Sequence, residues 1–96
     1  MNDAGNIDED RLKAVMKSIE DEVRKAMRYP SFRSPMEGAF IVQEEADEFV
    51  HAVRHETGER VWKEAVQLAA MATRYLHDIG AESAARIPEP KGDNRG

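Results

Sequence analysis

The sequence predicts an all-α protein, an antiparallel helical bundle of three main helices completed by oligomerisation. Three observations predict it. Apolar residues recur at three- and four-residue steps through three long segments. The segments are separated by strong stop and start signals, Pro30, Ser34-Pro35 and Thr57-Gly58. No segment alternates with the period of a strand.

The first helix is expected from Ile7, with Leu12, Val15, Met16, Ile19, Val23, Ala26 and Met27 as its stripe. Asn6 and Glu9 are spaced as a capping box. The helix should stop near Arg28-Tyr29, because Pro30 disfavours helical geometry in the residue before it. A second helix starts at Ser34-Pro35-Met36-Glu37, with a serine cap, proline in the first helical position and a glutamate able to reach back. Its apolar stripe is Ala39, Val42, Ala46, Phe49, Val50 and Val53; Ile41, Glu45, Glu48 and Ala52 run beside it. Thr57-Gly58 should end that helix near Glu56. The third is expected from Glu59 to Gly80, with Val61, Trp62, Ala65, Leu68, Ala69, Ala72, Tyr75, Leu76 and Ile79 in phase. Its small-residue run Ala69-Ala70-Met71-Ala72 lets another helix come close. Residues 81–86 could add a further helical turn or two. The domain therefore spans residues 7–87, between a disordered N-terminus (1–6) and a flexible Pro- and Gly-containing tail (88–96).

The 96 residues suffice for one domain, and one so small that association is a reasonable expectation. A net charge of −5 argues against non-specific binding to nucleic acid or an anionic membrane surface, since neither attracts an acidic partner. With no cysteine, disulfides, thiolate zinc sites and thiol nucleophiles are excluded. The polar start is unlike a signal peptide, and no apolar run is long enough to span a bilayer. The expectation is a soluble, cytoplasmic protein.

The chemistry-bearing stretch is Glu44-Glu45-Ala46-Asp47-Glu48, four carboxylates in five residues. On a helix Glu45 and Glu48 share a face, and so do Glu44 and Glu48. Such like charges repel by roughly 0.2–0.5 kcal/mol per exposed pair, and a cation between them would remove the penalty. A solvated acidic face is the plain alternative. Against it stands a second pair, Glu64 and Gln67, three apart on the third helix. Across the short turn the two helices are antiparallel neighbours, and Glu48 and Glu64 fall at heights differing by about 6 Å. Three carboxylates and an amide carbonyl are hard oxygen donors, suited to Mg²⁺ or Mn²⁺.

With these residues in view, the chain resembles the MazG-like, all-α nucleotide pyrophosphohydrolases. Glu44-Glu45-Ala46-Asp47-Glu48 matches their E-E-x-x-E motif, and Glu64-Ala65-Val66-Gln67 stands where their E-x-x-D follows after a modest gap. Ser34-Pro35-Met36-Glu37-Gly38 and Glu64 to Ala72 look like a small subgroup that includes phage proteins. The resemblance runs from about Ser34 to Ile79. It implies hydrolysis of a nucleoside triphosphate between the α and β phosphates, giving a monophosphate and pyrophosphate. It also implies Mg²⁺ (Mn²⁺ possible) held at Glu45, Glu48, Glu64 and Gln67, and a homodimer or dimer of dimers. Glu48 would be catalytic as well as a ligand, and Glu44, the spare carboxylate, is a candidate general base or a hydrogen-bonding partner of the ligands, with plain solvent exposure as the alternative. The departure is Gln67, which supplies a carbonyl dipole where the family has a full charge. A non-catalytic helical interaction or nucleotide-binding module that keeps the fold is the alternative this departure favours.

Arg33, Lys63 and Arg74, with Arg60, are candidate phosphate clamps, Arg33 foremost because its loop leads into the motif helix. Tyr29 and Phe32 are loop aromatics placed to approach a base, and Trp62 is expected to pack against the first helix or a partner chain. His51 and His55 share a face without a third ligand nearby, and His77 carries no signal.

Overall fold

In the computed structural model, residues 5–80 are described, and they form three α-helices followed by a π-helical turn. No strand occurs among them. No helix is long and apolar enough to cross a membrane among the described residues. The expected N-terminal disorder falls mostly, and the further turn at 81–86 and the 88–96 tail wholly, outside the described residues.

Helix α1 spans Glu9–Ala26. Its cap is Asp8 and not the expected Asn6: the Asp8 carboxylate accepts from the backbone N–H of Arg11 at 3.0 Å. An ionised acceptor at this place, followed by Glu9 and Asp10 in the first turn, complements the helix dipole better than an amide two residues earlier. Met27 caps the other end, close to the predicted stop. The apolar stripe of α1 leans on its neighbour without burying any residue, and Leu12, Met16 and Met27 stay substantially exposed.

Helix α2, Pro35–His55, starts as predicted, with Ser34 Oγ accepting from the Glu37 N–H at 3.0 Å. The Glu37 carboxylate reaches one residue further back than in a regular capping box, to the N–H of Arg33, and also pairs with the Arg33 guanidinium at 3.2 Å. The Arg33 N–H first, and then its guanidinium, hold the Glu37 carboxyl below the usual glutamate range.

Gly58 does not end α2. It opens α3, Gly58–Tyr75, with Thr57 as an N-cap whose side chain makes no capping bond. Glu56 closes α2 in an extended conformation, so two residues suffice to reverse the chain and no left-handed glycine is required. The predicted third helix also changes character before its end. Beyond Tyr75 it widens into a π-helical turn, Leu76–Gly80.

Helix α3 packs against both α1 and α2. Small residues are among the most buried: Ala70 of α3 is 0% exposed, and Ala52 and Gly38 are buried on α2. A Cβ on Gly38 would lie 2.7 Å from Tyr75 Cδ2 and 2.9 Å from Phe32 Cδ2, so only glycine fits beneath those two rings. This corrects part of the predicted packing face of α2. Val50 and Val53 are 47% and 56% exposed, and Phe40 also faces outward. The buried residues of α2 are Gly38 and Ala52; Ile41 and Glu45 of the neighbouring stripe are half-buried, as are Val42, Ala46 and Phe49 of the predicted one. Glu45, on the same helix, is half-buried beside Glu64.

Beneath the α1–α2 connection sits a paired buried charge. Arg74 is 3% exposed. Its Nε donates to Asp78 Oδ2 at 2.9 Å, Nη2 donates to the Tyr29 carbonyl at 2.7 Å, and Nη1 donates to the Ala26 carbonyl. The guanidinium also lies 5.4 Å from the Phe32 ring centroid. The π-helical turn carries Asp78 to where it accepts the Phe32 N–H at 3.3 Å and meets His77 Nδ1 at 2.7 Å. Burial raises the Asp78 carboxyl, yet the bonds from His77, Arg74 and Phe32 together outweigh it and hold the group below its usual range.

Candidate metal centre and cleft

The register of α2 against α3 brings Glu45, Glu48 and Glu64 together. Each offers a carboxylate oxygen, and the three lie within 4.8 Å of one another. A hard cation with oxygen ligands at roughly 2.0–2.6 Å can bridge that span. Glu64 is 7% exposed; one of its oxygens takes Arg60 Nη2 at 2.9 Å. Its Oε1, like Oε1 of Glu45, is buried with no hydrogen-bond partner. Two orphaned carboxylate oxygens beside a third carboxylate are an arrangement that folding alone disfavours, since an unpartnered buried polar group costs about 1–3 kcal/mol and more when charged. Burial first, then the charges of Glu48, Glu64 and Glu44, push the Glu45 carboxyl above the usual range. The donor chemistry, hard oxygens in a partly dehydrated pocket lacking a counter-charge for Glu45, fits a divalent cation.

Glu45 also lines a cleft of about 710 Å³, within the range of small-molecule sites. Its walls come from the end of α1, the 27–34 connection, the start of α2 and one face of α3. Lys25, Arg28 and Arg33 supply cations, Tyr29 and Phe32 aromatic rings, and Glu22, Gln67, Met71 and Arg74 complete the α1–α3 side. The Arg74 clamp fixes this shape: by holding the Ala26 and Tyr29 carbonyls it ties the exit of α1 and the loop to α3.

The other predicted site residues are distributed unevenly. Gln67 lines the cleft, and its amide Nε2 donates to Glu22 Oε2 at 2.7 Å. Arg33 borders the cleft but is exposed and already paired with Glu37. Arg74 borders it with its Nε, Nη1 and Nη2 donors all engaged inside the protein. Lys63 does not line the cleft itself but, with Trp62, an adjoining groove between α1 and α3 that shares Glu22, Lys25 and Gln67 with it. Glu44 is exposed, one position from the cluster. The rings of His51 and His55 lie 4.5 Å apart between centroids, tilted by 43°, and no third ligand joins them among the described residues. Sequence reasoning missed Glu22, Lys25 and Arg28. Glu22 and Lys25 lie along the edge of the α1 apolar stripe, and polar residues at the edge of two facing stripes were the signal that could have found them.

No protein-family model, curated protein or solved structure matches this chain.

Proposed function

We propose that the chain is a Mg²⁺-dependent hydrolase, acting in the cytoplasm, that cleaves a nucleoside triphosphate between its α and β phosphates to give a monophosphate and pyrophosphate. The observation that carries the reading is the convergence of Glu45, Glu48 and Glu64 with two orphaned buried oxygens, at the edge of a cation- and aromatic-lined cleft. The resemblance of both motifs to MazG-like enzymes supplies the reaction class. Glu45, Glu48 and Glu64 would hold the cation, with Gln67 adding its carbonyl. Bound there, a divalent ion supplies charge neutralisation to the phosphates and lowers the pKa of the attacking water. The chain's own residues do the rest. Lys25, Arg28 and Arg33 offset phosphate charge at the cleft wall, Tyr29 and Phe32 offer faces to a base, and Glu44 or Glu48 takes the proton of the attacking water. Lys63, in the adjoining groove, is more remote from the phosphates than these three, and Arg74 acts by shaping the cleft.

The enzyme would work as a homodimer or dimer of dimers. Support comes from the apolar side of α2, where Val50 and Val53 are exposed, and from a shallow apolar groove lined by Ala39, Val42, Ala72, Tyr75 and Leu76. Light scattering on the wild type and on Val53→Asp tests this: a dimer that dissociates in the variant is expected, and a wild-type monomer contradicts it.

The activity test is pyrophosphate release from a panel of ribo- and deoxynucleoside triphosphates with Mg²⁺ or Mn²⁺. Release that disappears in Glu48→Gln is expected; no release from any substrate would sink the reading. One observation favours the second reading, a non-catalytic binding module: Gln67 brings no charge, and its amide is tied to Glu22. Under that reading a non-hydrolysable nucleotide binds and no substrate turns over.

A further inference from the structure

Gln67 stands where the resemblance calls for a carboxylate, and its amide has a partner. Its Nε2 donates to Glu22 Oε2 at 2.7 Å, linking α3 to α1. An ionised carboxylate only accepts, so the nitrogen of the amide, and not its oxygen, must face Glu22. Because the amide is planar, its carbonyl oxygen is turned away from Glu22. Gln67 shares the cleft with Glu45 of α2 and lies one helical turn beyond Glu64. The second oxygen of Glu22 lies 3.8 Å from Lys25 Nζ, and its side chain is only 24% exposed, so the acceptor is itself held in place.

We propose that Glu22 is a positioning residue of the metal centre: it aims the Gln67 carbonyl oxygen at the Glu45–Glu48–Glu64 cluster as a fourth donor, and brings from α1 the negative charge that Gln67 lacks. This rests on the metal-dependent reading above. Glutamate at 22 and glutamine at 67 are then a matched pair. A carboxylate placed at 67 alone would face the carboxylate of Glu22 and repel it. Exchanging both residues keeps the hydrogen bond with donor and acceptor reversed, and moves the charge onto α3.

The test is Mn²⁺ binding to the purified full chain, followed by electron paramagnetic resonance of free Mn²⁺ and by calorimetry, well below each variant's melting temperature. Glu22→Ala should weaken binding about tenfold or more, the usual effect of removing a group that orients a ligand. Glu22→Gln, which keeps an acceptor and loses the charge, should weaken it less. The exchange variant, Glu22→Gln with Gln67→Glu, should bind Mn²⁺ at least as tightly as the wild type. A Glu22→Ala protein that binds like the wild type while Glu48→Gln does not would overturn the proposal and leave the metal reading standing. The bond would then only fasten α1 to α3, which a lowered melting temperature with an unmoved Kd would show. A wild type that binds no Mn²⁺ overturns both.

Discussion

Two groups of buried charge lie along α3, and they are built in opposite ways. At its C-terminal end, Arg74 and Asp78 are paired with each other, with the Ala26 and Tyr29 carbonyls, the Phe32 N–H and His77. Near its N-terminal end, Glu64 meets Glu45 and Glu48 with two oxygens left without partners. In the first, the protein supplies both charges, and the result is a fixed loop and a shaped cleft. In the second, three carboxylates share a single guanidinium, that of Arg60 on Glu64. Paired buried charge fastens this fold; in the acidic cluster negative charge is left in excess, which is where the proposal places a cation. The pKa directions follow that contrast, with Asp78 held low by its partners and Glu45 pushed high by burial and like charge.

The comparison can be broken first at the paired end. Asp78→Ala leaves the Arg74 guanidinium buried without its counter-charge, and should destabilise the protein by about 3–5 kcal/mol in denaturant titration. That is a large part of the roughly 5–15 kcal/mol holding a small domain together. At the acidic end, Glu48→Gln should lower turnover on the order of 100-fold or more without lowering the metal-free melting temperature. Gly38→Ala, which pushes a methyl against Tyr75 and Phe32, should cost about 1–3 kcal/mol and distort the cleft that Phe32 lines. The smallest effect is one of pH. The depressed Asp78 carboxyl contributes stability that is fully present above the ordinary aspartate value of 3.8 and is lost as pH falls through its lower folded value. Acid titration by circular dichroism should show this loss below that value, and Asp78→Asn should lack this component.

The number of helices, the Ser34 cap and the meeting of Glu45 and Glu48 with Glu64 were legible in the sequence, because each depends on local spacing and one short turn. The buried face of α2 was not. Hydrophobicity favoured Val50 and Val53, which are exposed, whereas the residues of α2 that are buried are Gly38 and Ala52, whose small size lets neighbours come close. The role of Arg74 was hidden because its acceptors are backbone carbonyls more than forty residues away, which no side-chain pattern marks. The π-helical turn was read as plain helix for a related reason, since it is Asp78 and its remote partners that distinguish it. Glu22 escaped notice because its pairing with Gln67 joins two helices that are not consecutive in the chain.

The most direct test of the central claim is the melting temperature of Glu45→Gln with and without saturating Mn²⁺. Without metal, removing one charge from an unpaired cluster should raise the melting temperature above that of the wild type. With metal at about 100 times the wild-type Kd, the wild type should gain roughly 2.7 kcal/mol, and the variant much less. A metal-free variant less stable than the wild type, together with a wild type indifferent to Mn²⁺, would mean that the three glutamates are satisfied by the fold itself and contradict the account.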